Sequence, residues 1–175
     1  MAGLTHIYYG DGKGKTTAAL GLAVRAAGCG LNVVIVQFLK NWKCGELNTL
    51  ALLPNITVLR GKIEGATFVF EMNDEQKAVT KTIQDDILKN ALEMQKNGQC
   101  DLLVLDEALD AYKLGVLDAE LFEGLLNNKP ENLEMVITGH SADAKLIELA
   151  DYVTEMAKRK HPYDLGVTAR RGIEF

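Results

Sequence analysis

The chain has 175 residues, 47% apolar and 25% charged, with a formal net charge of −5. That length and balance exclude a disordered chain, a collagen and a coiled coil, and they fit one α/β domain over residues 1–175 that can bury a core without disulfide or structural metal. The acidic balance argues against a general nucleic-acid binder, because little here would release phosphate counterions.

Apolar runs of strand length alternate with longer segments of helical period. Residues 4–9 read as a first strand, closed by the glycine-rich turn 10–14. In residues 15–27, Ala19, Leu20, Ala23, Val24 and Ala27 recur at helical spacing, and Gly28 stops the helix. Residues 31–38 are almost all apolar and β-branched, as a strand covered on both faces would be, and 56–59 make a short strand. Asn73 with Gln76 predicts a capping box for a long helix that carries Val79, Ile83, Ile87, Ala91 and Met94 on one face and ends at Gly98. Residues 101–106 form the next buried strand, Asp118 caps a helix with Leu121, Phe122, Leu125 and Leu126, 134–138 are a strand, 142–149 a helix and 152–156 a last strand. This order predicts an α/β fold, a mostly parallel sheet with helices on both faces, and the glycine turn ending in Gly14-Lys15-Thr16 at the start of the first helix makes it P-loop NTPase-like.

Cys29, Cys44 and Cys100 have no C-x-x-C spacing and read as idle thiols of a reducing cytosol. No run approaches the ~18 apolar residues of a membrane helix, and residues 4–9 are too short for the core of a signal peptide. A cytoplasmic protein with neither membrane nor nucleic acid as partner is the expectation.

Between the first strand and first helix stand Gly10, Asp11, Gly12, Lys13, Gly14, Lys15, Thr16 and Thr17. Strand, glycine turn and helix are the setting of a phosphate-binding loop: backbone N–H groups turn inward and meet phosphate at the positive helix end. Lys15 adds a point charge, and the Thr16 hydroxyl suits Mg²⁺. Counting back from Gly14, the first consensus glycine would fall on Tyr9, so the loop is one residue short. Either the phosphates sit differently from those of an ordinary ATPase, or Gly12 supplies the missing freedom. Asp106 and Glu107 end an apolar strand, where a carboxylate can hold Mg²⁺ directly or through water. Arg25, on the helix after the loop, is a candidate for phosphate or for an acidic neighbour.

Two further blocks narrow the chemistry. Gly10-Asp-Gly-Lys-Gly-Lys-Thr-Thr-Ala-Ala-Leu-Gly21 continues to Arg25-Ala-Ala-Gly-Cys-Gly30, Val36-Gln-Phe-Leu-Lys40 and Gly45-Glu46. The C-terminal block reads Ile137-Thr-Gly139, Ala150-Asp-Tyr-Val-Thr-Glu-Met156, Lys160-His-Pro-Tyr-Asp-Leu-Gly166 and Ala169-Arg-Arg-Gly-Ile-Glu-Phe175. Together these closely resemble the P-loop ATP:corrinoid adenosyltransferases of cobalamin synthesis and salvage.

The resemblance implies that Co(I) of a reduced corrinoid, of cobalamin or cobinamide type, attacks the 5′ carbon of ATP and expels triphosphate. It implies ATP held in reverse of the usual polarity, in keeping with the short loop. It assigns triphosphate neutralisation to Lys13, Lys15 and Mg²⁺ (Mn²⁺ as alternative), and the metal to Thr16 and Glu107 with Asp106 beside it. Family members press aromatic side chains on the lower corrin face to ease reduction of Co(II). The matching segment here holds Phe68, Ala66 where a bulky aromatic is often found, and Phe70 nearby. His140 stands where the family usually has arginine, and only Met1-Ala-Gly3 precedes the first strand, where many members carry an arm over the corrinoid. A homodimer and a reductase of flavin or flavodoxin type are the implied partners. Trp42 is a candidate for the corrinoid pocket or the sheet edge, and the basic residues near 158–161 and 170–171 for triphosphate, corrinoid or solvent. Two rivals stand beside this reading: an ordinary ATPase or small-molecule kinase, and a nucleotide- or corrinoid-binding regulator without catalysis.

Overall fold

The computed structural model describes residues 2–40, 42–62 and 69–174. Strands Thr5–Tyr9 (β1), Val33–Gln37 (β2), Ile56–Arg60 (β3), Leu102–Asp106 (β4), Glu134–Gly139 (β5) and Tyr152–Glu155 (β6) form one sheet in the order β3-β2-β4-β5-β1-β6. Every pairing is parallel. Around it lie helices Lys15–Gly28 (α1), Glu46–Leu50 (α2), Asp74–Lys96 (α3), Ala108–Lys113 (α4), Ala119–Asn127 (α5) and Ala144–Ile147 (α6).

Alternation along the strands divides the core between two faces. Val33, Ile35, Leu102, Val104 and Val136 meet Ala19, Ala23, Ala26 and Ala27 of α1, whose small side chains let the helix lie close to the sheet. Val34, Val36, Leu103, Leu105, Met135 and Ile137 point the other way, toward Leu88 and Ala91 of α3, Leu109 of α4 and Phe122 of α5. The central strands β2 and β4 are buried at every position, as their unbroken apolar runs predict.

Three local expectations change. Of the face expected on α3, Ile87, Ala91 and Met94 meet the core, but Val79 is 55% exposed and the most buried positions are Thr80, Gln84, Asp85, Leu88 and Ala91. Polar anchors turn the helix: Asp85 accepts from the Asp118 amide at 2.7 Å, Lys81 bridges Asp85 and Asp118 at 2.7 and 2.8 Å, and Thr80 donates to Met72 Sδ at 3.4 Å. The helix expected over 142–149 shrinks to Ala144–Ile147, and its cap Asp143 makes no side-chain cap bond. Two helices not foreseen are α2, in the segment between β2 and β3, and α4, just past the end of β4; their short lengths give periodicity little to work on. The Asn73–Gln76 capping box forms in both directions, at 2.9 Å each. All three cysteines are free, and burial pushes the Cys100 thiol up to about 12. Among the described residues no helix is long and apolar enough to cross a membrane.

Candidate functional site

The loop after β1 is shaped by its neighbour β6. Gly10 and Gly14 adopt φ of 118° and 119°, which suit glycine alone, whereas Gly12 is needed for space. A Cβ on Gly12 would lie 2.5 Å from the Met156 carbonyl oxygen, the same atom that accepts from the Gly12 amide at 2.6 Å. Of the two sequence options for the short loop, Gly12 therefore contributes close approach rather than unusual torsion. Asp11 accepts from the Lys158 amide at 2.8 Å, and that bond holds its carboxyl below the usual range. Lys15 folds into the loop and donates to the carbonyls of Gly10 and Gly12 at 2.6 and 2.8 Å. Burial lowers its pKa, opposed by the carboxylates of Asp110, Asp11, Glu107 and Asp106.

The carboxylate half of the site lies across the strand ends. The sheet order puts β5 between β1 and β4, so Thr138 spans the gap between loop and carboxylates. Asp106 is fully buried. Its Oδ1 accepts from Thr16 Oγ1 and Thr138 Oγ1, each at 2.8 Å, and its Oδ2 accepts from Gln37 Nε2 at 3.3 Å and from Lys40 Nζ. Thr138 Oγ1 also accepts from the Glu107 amide at 2.9 Å. Glu107 itself has φ 64°, a left-handed turn that swings its side chain away from the strand line. Its carboxyl is pushed up to about 7, chiefly by burial; Lys40 opposes this, and Asp106 and Asp110 add to it. Burial works against the charge of Lys40, but Asp106 and Glu107 outweigh it and its pKa rises.

Thr16, Thr17, Lys40, Trp42, Glu107 and Ile173 are among the residues that line a cavity of about 690 Å³ at this edge of the loop. The C-terminal segment forms part of its wall: Lys13 Nζ donates to Glu174 Oε1 at 3.0 Å and to the Ile173 carbonyl at 3.4 Å. Hydrogen bonds from Arg170, with Lys13 added, pull the Glu174 carboxyl down to about 2. His140 flanks the loop, accepting through its carbonyl from the Gly10 amide at 3.2 Å and pairing its Nδ1 with Asp110 at 3.0 Å. That bond raises the imidazole pKa, against burial.

Of the residues singled out in the sequence, the fold gathers Gly10, Asp11, Gly12, Lys13, Gly14, Lys15, Thr16, Thr17, Asp106 and Glu107 around the loop and its cavity. It does not bring Arg25 there. That side chain is exposed in the last turn of α1, about 15 Å along the helix axis from Lys15, where its charge is felt by Tyr8. Phe70 sits in a 3₁₀ turn, Val69–Glu71, and is 74% exposed. Phe68 and Ala66 lie outside the described residues. Sequence reasoning missed Lys40, Gln37 and Thr138 as parts of the site. Each stands at the carboxyl end of a buried strand or one turn beyond it, and a polar residue closing such an apolar run is the signal that could have found them.

Chemically, the arrangement offers Lys13 and Lys15 for polyphosphate and oxygen donors for a hard cation, while the Gly10 and Gly12 amides are already taken by the carbonyls of His140 and Met156. The Thr16 hydroxyl and Glu107 carboxylate, with Asp106 behind, suit Mg²⁺ or Mn²⁺ rather than a softer ion. Among the described residues no group of three or more His, Cys, Asp or Glu gathers as a cage, so such a cation would take the rest of its oxygens from phosphate and water.

Comparison with known proteins gives concordant matches. The family profile ATP:corrinoid adenosyltransferase BtuR/CobO/CobP matches residues 1–175. The corrinoid adenosyltransferase of Escherichia coli (strain K12) is 33% identical over 174 residues, covering 99% of this chain and 86% of the relative. The corrinoid adenosyltransferase CobA of Salmonella typhimurium (strain LT2) gives the same identity and coverage. That of Pseudomonas aeruginosa is 33% identical, over 99% of this chain and 84% of the relative.

Proposed function

The chain belongs to the ATP:corrinoid adenosyltransferase family, a family of transferases, and from that premise we propose that it moves the 5′-deoxyadenosyl group of ATP onto the Co(I) centre of a reduced corrinoid. The electron pair on cobalt forms the Co–C bond, the C5′–O bond breaks, and its electrons leave with triphosphate. The observation that carries this reading is the join between the loop and the carboxylates, Thr16 to Asp106 at 2.8 Å with Glu107 next in line, in a chain that matches the family from end to end.

The nucleophile arrives with the substrate, so the protein has no side-chain nucleophile to activate. Its work is to align the ribose carbon with cobalt and to neutralise charge that grows on the leaving triphosphate. Lys15 faces that charge first, together with the loop amides that remain once those of Gly10 and Gly12 are bonded to His140 and Met156. Lys13, paired with Glu174 at 3.0 Å, is close enough to join them by exchanging one anion for another. Thr16 and Glu107 would hold Mg²⁺, which when bound offsets polyphosphate charge. Asp106, with both oxygens occupied by donors, positions Thr16 and Lys40 rather than reaching the cation itself. Trp42 and Ile173, both partly exposed at the cavity, offer apolar surface to a nucleoside or a corrinoid edge. The same reading assigns Phe68 to the lower corrin face and carries with it a separate reductase and a homodimeric assembly.

The test is anaerobic. Protein mixed with Mg-ATP and chemically reduced cob(I)alamin should give light-sensitive adenosylcobalamin and an equal amount of triphosphate. Orthophosphate or ADP without a cobalt–carbon bond would favour an ATPase or kinase, and ATP binding without turnover would favour a regulator.

A further inference from the structure

Lys40 stands where a cation belongs. It follows Leu39, whose φ of 58° is unusual for a bulky residue, and the turn drives the lysine back under the strand ends, where its side chain is 8% exposed. Its Nζ touches Asp106 Oδ2 and lies 3.5 Å from Thr16 Oγ1 and 3.5 Å from Glu107 Oε1. Those oxygens belong to the residues that the proposed function assigns to the divalent cation or to its support, and the inference rests on that assignment. An ammonium and a divalent ion cannot share one pocket of oxygens at such range without strong repulsion.

We propose that Lys40 is a resident stand-in for the divalent cation. In nucleotide-free protein its ammonium fills the cradle of Thr16, Asp106 and Glu107. It keeps the buried Asp106 charge compensated and the oxygens facing one another. When cation and nucleotide arrive together, the ammonium swings off Thr16 and Glu107 toward the incoming phosphate oxygens, which offer it a new partner. The cation alone brings no such partner, so it competes poorly. Lys40 is therefore a positioning residue that makes cation and nucleotide bind as a unit.

Nucleotide-free Mn²⁺ binding to the full chain tests this, read from the spin-resonance signal of unbound Mn²⁺ and from thermal unfolding. Lys40→Met should bind Mn²⁺ at least about ten-fold more tightly than wild type. Mn²⁺ should raise the Tm of that variant while leaving wild type nearly unmoved, and adding Glu107→Gln should remove the gain. If Lys40→Met does not fold alone, Mn²⁺ but not Na⁺ of equal ionic strength should restore it. Lys40→Gln, which keeps a donor to Asp106, should show a smaller gain in the same direction. Unchanged or weaker Mn²⁺ binding in both variants, with a Glu107-dependent Mg²⁺ requirement intact in wild type, overturns the stand-in alone. A gain that survives Glu107→Gln overturns both the stand-in and the cation assignment beneath it.

Discussion

Asp106→Asn isolates the buried hub of the site. The substitution keeps one acceptor for Thr16 and Thr138, each now at 2.8 Å, but turns an amide N–H₂ toward Gln37 and Lys40, both donors. A lysine only 8% exposed then loses its main counter-charge. Breaking a buried pair from one side costs about 3–5 kcal/mol. Glu107, 3.5 Å from the same ammonium, retains part of the compensation, so the lower end, about 3 kcal/mol, is expected. For a chain of this size each kcal/mol moves Tm by about 2–4 °C, giving a fall of about 6–12 °C. Thermal unfolding followed by circular dichroism reads it, and the drop should change little between low and high salt because the pair is buried. Adding Lys40→Met to Asp106→Asn should recover about half the loss, since the pair is coupled. A fall below about 2 °C, or a loss that the second substitution deepens, would refute the hub.

Further outcomes follow from the same geometry. The Glu107 carboxyl, pushed up to about 7 from 4.5, gives stability that is fully present below pH 4.5 and is lost as pH rises through about 7. The loss is about 3 kcal/mol at most; urea unfolding at several pH values should show a decline that Glu107→Gln flattens, and parallel curves for the two proteins would contradict it. Gly12→Ala puts a methyl 2.5 Å from the Met156 carbonyl oxygen, so loop and β6 must part, and ATP affinity measured by calorimetry should fall at least about ten-fold. Lys15→Ala should lower kcat/KM for ATP by about 100-fold or more through loss of triphosphate neutralisation; full activity would reject the loop as the site. Phe68→Ala should slow adenosylation from Co(II) under a mild reductant and spare it when Co(I) is supplied chemically; equal losses would remove its role in easing reduction of Co(II).

Much of the fold is legible in sequence because its signals are local and strong. The apolar runs of β2 and β4 predict burial on both faces, the helical spacing of Ala19, Ala23 and Ala27 predicts α1, and the Asn73–Gln76 pair predicts a cap that forms as written. Elements whose identity depends on tertiary partners are less legible. On α3, Ile87, Ala91 and Met94 of the predicted apolar series do pack on the core, but Asp85, Lys81 and Asp118 also anchor the helix while Val79 stays exposed, and such hydrogen bonds and ion pairs leave no periodicity to read. The loop and the two carboxylates carry their own motif. Thr138 and Lys40 join the site only because β5 lies beside β4 and β2 lies on its other side, an order that chain sequence alone does not contain. Arg25 shows the converse: membership of the same helix as Lys15 does not make it a neighbour, since about ten residues of helix carry it about 15 Å away.

The most direct measurement of the proposed chemistry follows one oxygen. ATP carrying ¹⁸O at the 5′ bridging position is turned over anaerobically with cob(I)alamin, and the products are weighed by mass spectrometry. Attack at the 5′ carbon breaks the C–O bond, so all of the label should leave in triphosphate and none in the adenosylcorrinoid. Label retained in ADP or AMP would place attack at phosphorus and contradict adenosyl transfer at this site.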